Sequence, residues 1–150
     1  MVNQDLVNKL KGWAENPPTP ENVDANFGVE YFTTLFSIFK ELSLEDEDLR
    51  EEVEDADFCM QYVMTNEGQE FKFWIACRDE KLDFGMGEGT DVSVTMTASA
   101  ENIFAMFSGQ ADSTALYMSG DLTIDGNLQD AMAFGEIASI AAELLEDLMG

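Results

Sequence analysis

Alternation of apolar and polar residues predicts three consecutive antiparallel strands in the middle of the chain. Every second residue is apolar in residues 58–64, 71–77 and 82–86, which is the period of a strand with one buried face. Two-residue loops at 67–68 and 79–80 would join these strands into two hairpins. The sequence numbers of two residues that face each other then add up to 135 in the first hairpin and to 159 in the second. Every apolar set then lies on one side of the sheet, and a slip of one residue would expose one of the sets.

This register also assigns faces to three notable side chains. Cys59 and Cys77 point to opposite faces, so we expect two unbridged structural thiols. Trp74 is expected to face away from the side that carries Phe73.

Helical periodicity dominates the rest of the chain. The segment "NPPTPEN" at 16–22 interrupts any helix, which predicts a helical extension and a Pro-rich linker over residues 1–22 and one domain over 23–150. Residues 23–44 carry a wide apolar stripe, and Ser43 is the expected N-cap of a short acidic helix. The further elements predicted are a strand "DVSVTMT" with Val92, Val94 and Met96 inward, a helix capped by Ser99, a strand "DLTID" and a helix over 128–149.

The charge is strongly acidic and excludes several functions. There are 31 acidic and 7 basic residues and no histidine, so the net charge is -24. No basic patch is available to neutralise nucleic-acid phosphates or to bind anionic lipid. Two interpretations of the acidity stay open, namely a solubilising surface and adaptation to a high-salt cytoplasm.

The location expected from sequence is the cytoplasm. We find no run of about eighteen apolar residues that would span a membrane and no apolar signal-peptide core, so stable membrane insertion is not expected. Two cysteines are too few for a disulfide framework.

The segment "SGDLTIDGN" resembles the start of a calcium loop, but its continuation does not. With Asp121 in the first position, the twelfth position, which requires a bidentate glutamate, is Met132. The chain also lacks the histidine that would activate a nucleophile or bind zinc. No catalytic residue, metal or cofactor is therefore predicted, and we do not expect an enzyme.

Apolar residues are unusually dense in the C-terminal third. Large apolar side chains crowd into residues 103–140, and seven of the nine methionines lie between Met60 and Met132. Methionine lines sites that accept varied apolar shapes, although a solid methionine-rich core explains the same composition. The residues alone leave both interpretations open.

The stretch "VTMTASAENIFAMFSGQADSTALYMSGDLTIDGN" resembles the signature half of the sterol carrier protein type 2 family. Residues 92–140 follow the family order of strand, capped helix, short helix with a Met-x-Gly motif, strand and final helix. Residues 57–87 match the preceding strands in pattern only. The chain departs from the family in its acidity, its N-terminal extension and its lack of a peroxisomal ending, which favours a prokaryotic origin.

The resemblance implies an α+β fold with a five-stranded mixed sheet, including the three-strand meander, covered by helices on one face. It also implies an apolar tunnel that holds a fatty acyl, isoprenoid or related lipid, in a carrier or presenter. The residues that would line or close the tunnel are Val94, Met96, Ile103, Phe107, Met118, Leu122, Ile124, Leu128, Met132, Ile137 and Ile140. Two alternatives stay open: an acidic protein-interaction module with a filled core, and an accessory that presents lipid to a separate enzyme.

Overall fold

The computed structural model describes residues 3–15, 25–66, 68–107 and 111–149. The helices in these ranges are α1 Gln4–Glu15, α2 Ala25–Glu45, α3 Glu47–Asp55, α4 Ala100–Phe107, α5 Ser113–Ser119 and α6 Leu128–Met149. The strands are β1 Phe58–Asn66, β2 Gln69–Arg78, β3 Lys81–Met86, β4 Val94–Ser99 and β5 Leu122–Gly126. The predicted Pro-rich linker lies outside the described residues, whereas the predicted bounds of the final helix are confirmed.

The five strands form one mixed sheet in the order β3-β2-β1-β4-β5. β1 and β4 are parallel, and the other neighbours are antiparallel. Phe58 lies opposite Cys77 and Phe73 lies opposite Met86, so the predicted register of both hairpins is confirmed. The α+β class, the meander and the helical cover are confirmed as well.

The turn between β2 and β3 has an unusual backbone. Asp79 and Glu80 both have positive φ, at 54° and 67°. Two central residues with positive φ define the type I′ turn, whose twist matches that of the flanking strands. The tight turn therefore holds the register even though neither position carries the glycine that such turns favour. The predicted loop at 67–68 lies partly outside the described residues.

Aromatic side chains join the helices to the inner face of the sheet. Phe32 of α2 stacks on Phe73 of β2 with ring centroids 4.1 Å apart. Phe73 in turn stacks on Tyr62 of β1 at 4.9 Å, with the ring planes 8° from parallel. Val7 and Leu10 of α1 are buried in the same core, so the N-terminal helix packs with the rest of the fold.

A loop covers the outer face of the sheet. β3 lies at one edge and β4 lies beyond β1, so residues 87–93 must cross two strands to connect them. The Gln61 side chain fastens this loop, because its Nε2 donates to the Gly87 and Phe73 carbonyl oxygens at 2.9 and 3.0 Å and its Oε1 accepts from the Gly89 amide at 2.7 Å. Trp74 lies beside Gly89 on this outer face, as predicted.

The two cysteines are free and buried, and they lie on opposite faces of the sheet. Cys77 belongs to the inner core, and burial raises its pKa to about 12. Cys59 lies under the outer loop beside Gly89, and burial also raises its pKa. The sequence prediction of unbridged thiols is confirmed.

Two local predictions were wrong. Ser43 does not cap a helix, because α2 continues to Glu45 and the Asp46 side chain accepts from the Leu49 amide at 3.0 Å as the N-cap of α3. The Ser43 hydroxyl instead donates to the Lys40 carbonyl oxygen inside α2. Val92 precedes β4 and is exposed, since the outer loop occupies the positions before Val94.

We expect Glu80→Gly to raise the free energy of unfolding by about 0.5–1 kcal/mol. Glycine avoids the ~1–2 kcal/mol that the left-handed conformation costs a residue with a side chain. It also loses more conformational entropy on folding, which offsets about 0.5–1 kcal/mol of this gain. Urea unfolding measures the change. The same substitution at Glu70, inside β2, is the control and is expected to destabilise by about 1 kcal/mol.

We expect Gln61→Leu to lower the free energy of unfolding by about 2–3 kcal/mol, because the loop loses its side-chain partners while the backbone groups stay partly buried. Thermal and urea unfolding report the loss. Gln69→Leu, at an exposed position of β2, should stay within about 0.5 kcal/mol of the parent. Equal effects of the two substitutions would contradict the proposed role of Gln61.

Candidate functional site

A cavity of about 360 Å³ lies between the sheet and the C-terminal helices. Its floor is formed by Met60 and Tyr62 of β1 and Met96 of β4. Phe39 of α2 and Phe107 of α4 close its sides. The remaining lining residues are Met106, Ala111, Asp112, Ser113, Ala131, Phe134, Gly135, Ala138, Ser139 and Ala142.

Small residues on α6 leave this space open. Ala131, Gly135, Ala138 and Ala142 recur at intervals of three or four residues, so they share one face of the helix. A neighbouring face carries Ile137 with Ala141 and Leu145, and that face is buried in the core. The large side chains of that neighbouring face anchor α6, while the small ones, together with Phe134, form the cavity wall.

The start of α6 is held in place by a turn that only glycine can make. Gly126 has φ 119°, and a Cβ at this position would lie 2.5 Å from the Ser93 carbonyl oxygen. Asn127 then caps the helix, because its side-chain oxygen accepts from the amides of Gln129 and Asp130 at 2.9 and 3.2 Å.

Tyr62 is the one residue of the cavity floor whose side chain carries a hydroxyl group. The residue is 2% exposed, and its ring is held between Phe73, at 4.9 Å, and Phe107, which approaches edge-on at 5.5 Å. Burial raises the pKa of Tyr62 far above its ordinary value, so the hydroxyl stays protonated and uncharged at any physiological pH.

Asp112 is the only charged residue among the described residues that line the cavity. It is exposed and acts as the N-cap of α5, since its carboxylate accepts from the Thr114 amide at 3.3 Å. Among the described lining residues there is no lysine or arginine.

The eleven residues predicted for the tunnel are distributed over three environments. Met96 and Phe107 line the cavity. Six others are buried or partly buried around it without lining it: Val94, Ile103, Leu122, Ile124, Ile137 and Ile140. Met118, Leu128 and Met132 are exposed, by 81%, 49% and 70%. Whether any of the eleven contacts a ligand stays a prediction.

Most of the cavity-lining residues were not predicted, because the prediction named large apolar side chains and the wall of α6 is made mainly of small ones. Spacing could have identified the wall of α6, because Ala131, Gly135, Ala138, Ser139 and Ala142 all fall on one helical face. Nothing in the sequence distinguishes Tyr62 from the other inward residues of β1. Its position at the cavity depends on how the helices pack.

The two aspartates that suggested a calcium loop lie at opposite ends of β5. An extended strand separates Asp121 from Asp125 by about 13 Å, too far for one ion. Asp121 instead accepts a hydrogen bond from the Ser119 hydroxyl at 2.9 Å. Within the described ranges, no cluster of three or more potential metal ligands occurs, and no helix is long and apolar enough to cross a membrane.

Comparisons with solved structures identify the fold. The sterol carrier protein 2 of Yarrowia lipolytica, in its apo form, matches with a TM-score of 0.62 at 21% identity, over 79% of this chain and 94% of that one. The sterol carrier protein domain 2 of Helicoverpa armigera matches with a TM-score of 0.59 at 23% identity, over 75% and 87%. A ubiquinone synthesis protein, UbiJ-SCP2, matches with a TM-score of 0.51 at 20% identity, over 73% and 86%.

Comparison of the sequence with protein-family models identifies the family as well as the fold. The model of the SCP-2 sterol transfer family matches residues 39–139, which include the cavity floor and most of the α6 wall. No curated protein sequence matches the chain. Because the match covers more than half of the chain, this protein belongs to the SCP-2 sterol transfer family.

Proposed function

We propose that this protein binds a hydrophobic, lipid-like ligand in the cavity between the sheet and α6, as an intracellular carrier or presenter. The observation that carries the proposal is the 360 Å³ cavity, whose walls are mostly apolar side chains. This volume falls within the range of small-molecule sites, about 300–1,000 Å³. Membership of a lipid-transfer family supports the same function.

Apolar contact supplies most of the affinity in this proposal. Each buried methylene of a ligand gains about 0.8 kcal/mol on leaving water, so an alkyl tail needs little polar recognition. The flexible side chains of Met60, Met96 and Met106 adapt the cavity to different tail shapes. Entry and release then require a displacement of α6, which supplies the small-residue wall.

The site favours binding over catalysis. Among the described lining residues, the ionisable groups are the protonated Tyr62 hydroxyl and the Asp112 carboxylate, and the carboxylate already caps α5. They do not form a matched acid and base pair. We therefore propose a non-enzymatic protein, and its buried free thiols fit a reducing cytoplasm.

A second candidate is an accessory that presents its lipid to a separate enzyme. The observation that favours it is the apolar surface at the start of α6, where Leu128 and Met132 lie one turn apart and both are exposed. Exposed apolar side chains that lie together mark sites of association with other molecules. A structural match to a protein named for ubiquinone synthesis is compatible with this role.

Filling the cavity from α6 tests the binding proposal. A Cβ at Gly135 meets no atom within 4 Å, so Gly135→Phe adds a ring without a backbone clash. The ring escapes water by entering the cavity. We expect at least a tenfold loss of affinity for a fluorescent long-chain probe, together with loss of any copurifying lipid in native mass spectrometry.

Gly12→Phe is the matched control. Gly12 is an exposed, helical glycine in α1 whose Cβ would also meet nothing within 4 Å, and it lies outside the cavity lining. Both substitutions remove a helix glycine and should leave the melting temperature equal to or above the parent. Undiminished probe binding by Gly135→Phe, or the absence of any ligand in the parent protein, would contradict the proposed site.

A further inference from the structure

The Tyr62 hydroxyl has no hydrogen-bond partner among the described residues. In the described part of the chain, every fully buried side-chain oxygen or nitrogen has a hydrogen-bond partner. The Tyr62 hydroxyl has none, so it is not fully buried. The hydroxyl must therefore reach accessible space, and Tyr62 lines the cavity. An unpartnered hydroxyl on a residue that is 2% exposed and that lines a cavity is a place for a ligand atom.

The direction of this donor is set before any ligand arrives. The Tyr62 ring is parallel to Phe73 within 8° and is bordered by Phe107 and Phe134 at centroid distances of 5.5 and 6.2 Å. A fixed donor loses little entropy when it forms a hydrogen bond.

The electrostatic setting excludes a negatively charged partner. Among the described lining residues the only charge is that of Asp112, which is negative, and the chain as a whole carries a net charge of -24. A carboxylate brought to the apolar floor would lose its hydration without gaining a counter-ion, and this desolvation costs several kcal/mol. An uncharged oxygen avoids this cost.

We infer that the cavity selects an uncharged lipid, such as an ester, ketone or alcohol, whose oxygen accepts a hydrogen bond from Tyr62 on the sheet. This inference rests on the proposed function and adds the class of ligand to it. Polar recognition occurs at the floor of the cavity, and an ionised fatty acid is discriminated against. The tail of the ligand lies against the small residues of α6.

Removing only the hydroxyl tests the hydrogen bond. We compare methyl dodecanoate with dodecane, which has the chain but no acceptor, by equilibrium dialysis against the parent protein and Tyr62→Phe. The substitution should weaken binding of the ester about three- to tenfold, as expected for one neutral hydrogen bond, and leave dodecane unchanged. Tyr31→Phe makes the same change at a buried tyrosine outside the lining and should alter neither affinity.

Dodecanoic acid tests the selection against charge. Because its carboxyl group ionises with a pKa near 4–5, the uncharged fraction falls about tenfold per pH unit between pH 6 and pH 8. If only that form enters, the apparent affinity falls by the same factor as pH rises, while the affinity for the ester stays constant. Among the described lining residues, the titratable groups are Tyr62 on β1 and Asp112, the N-cap of α5, while α2, β4, α4 and α6 contribute none.

The outcomes separate this inference from the proposed function. An affinity for dodecanoic acid that does not change with pH, or an equal loss of ester and dodecane binding in Tyr62→Phe, would overturn the inference and leave the cavity as a lipid site. Failure of the parent to bind ester, alkane and acid alike would overturn the proposed function itself. Thermal unfolding of each variant establishes that the comparison is made on folded protein.

Discussion

The stack of Phe32 on Phe73 and of Phe73 on Tyr62 is the contact on which the rest of the structure depends. It joins α2 to β2 and β1 through rings whose centroids are 4.1 and 4.9 Å apart. Such pairs contribute about 0.5–1.5 kcal/mol each beyond the area that they bury. The stack also holds Tyr62 in a position where this residue lines the cavity.

The cavity exists because α6 presents two different faces. Ile137 and Leu145 are buried and hold the helix against the core. Gly135 and Ala138 lie on the face toward the cavity and are too short to reach the sheet. Interiors normally pack to crystal-like density, so a space of 360 Å³ survives only where the chain offers small side chains on one wall. The cavity therefore lies over β1 and β4, with Tyr62 shared between the aromatic stack and the lining.

The acidity of the chain has a local consequence as well as a global one. A net charge of -24 promotes solubility over the whole surface. At the cavity, Asp112 is the one charged residue among the described lining residues. Under the proposed function, the ligand would be recognised by apolar contact and by the neutral hydroxyl of Tyr62. The large apolar residues Met118 and Met132, which were expected in a tunnel wall, are instead on the surface.

The sequence alone determined the meander and its register, because a strand has a period of two and a slip would expose an entire apolar set. Phe58 and Cys77 are paired as the numbering predicts, and α6 has its predicted ends at Leu128 and Met149. The sequence did not determine the cavity. The lining of the cavity depends on which face of each helix meets the sheet and on the distance between the helices and the sheet. Both follow from the packing of residues that are distant along the chain. Apolar character is shared by residues that fill a core and residues that border a space. Spacing along the sequence marks the small-residue face of α6, but only the tertiary structure could distinguish Tyr62 from the other inward residues of β1.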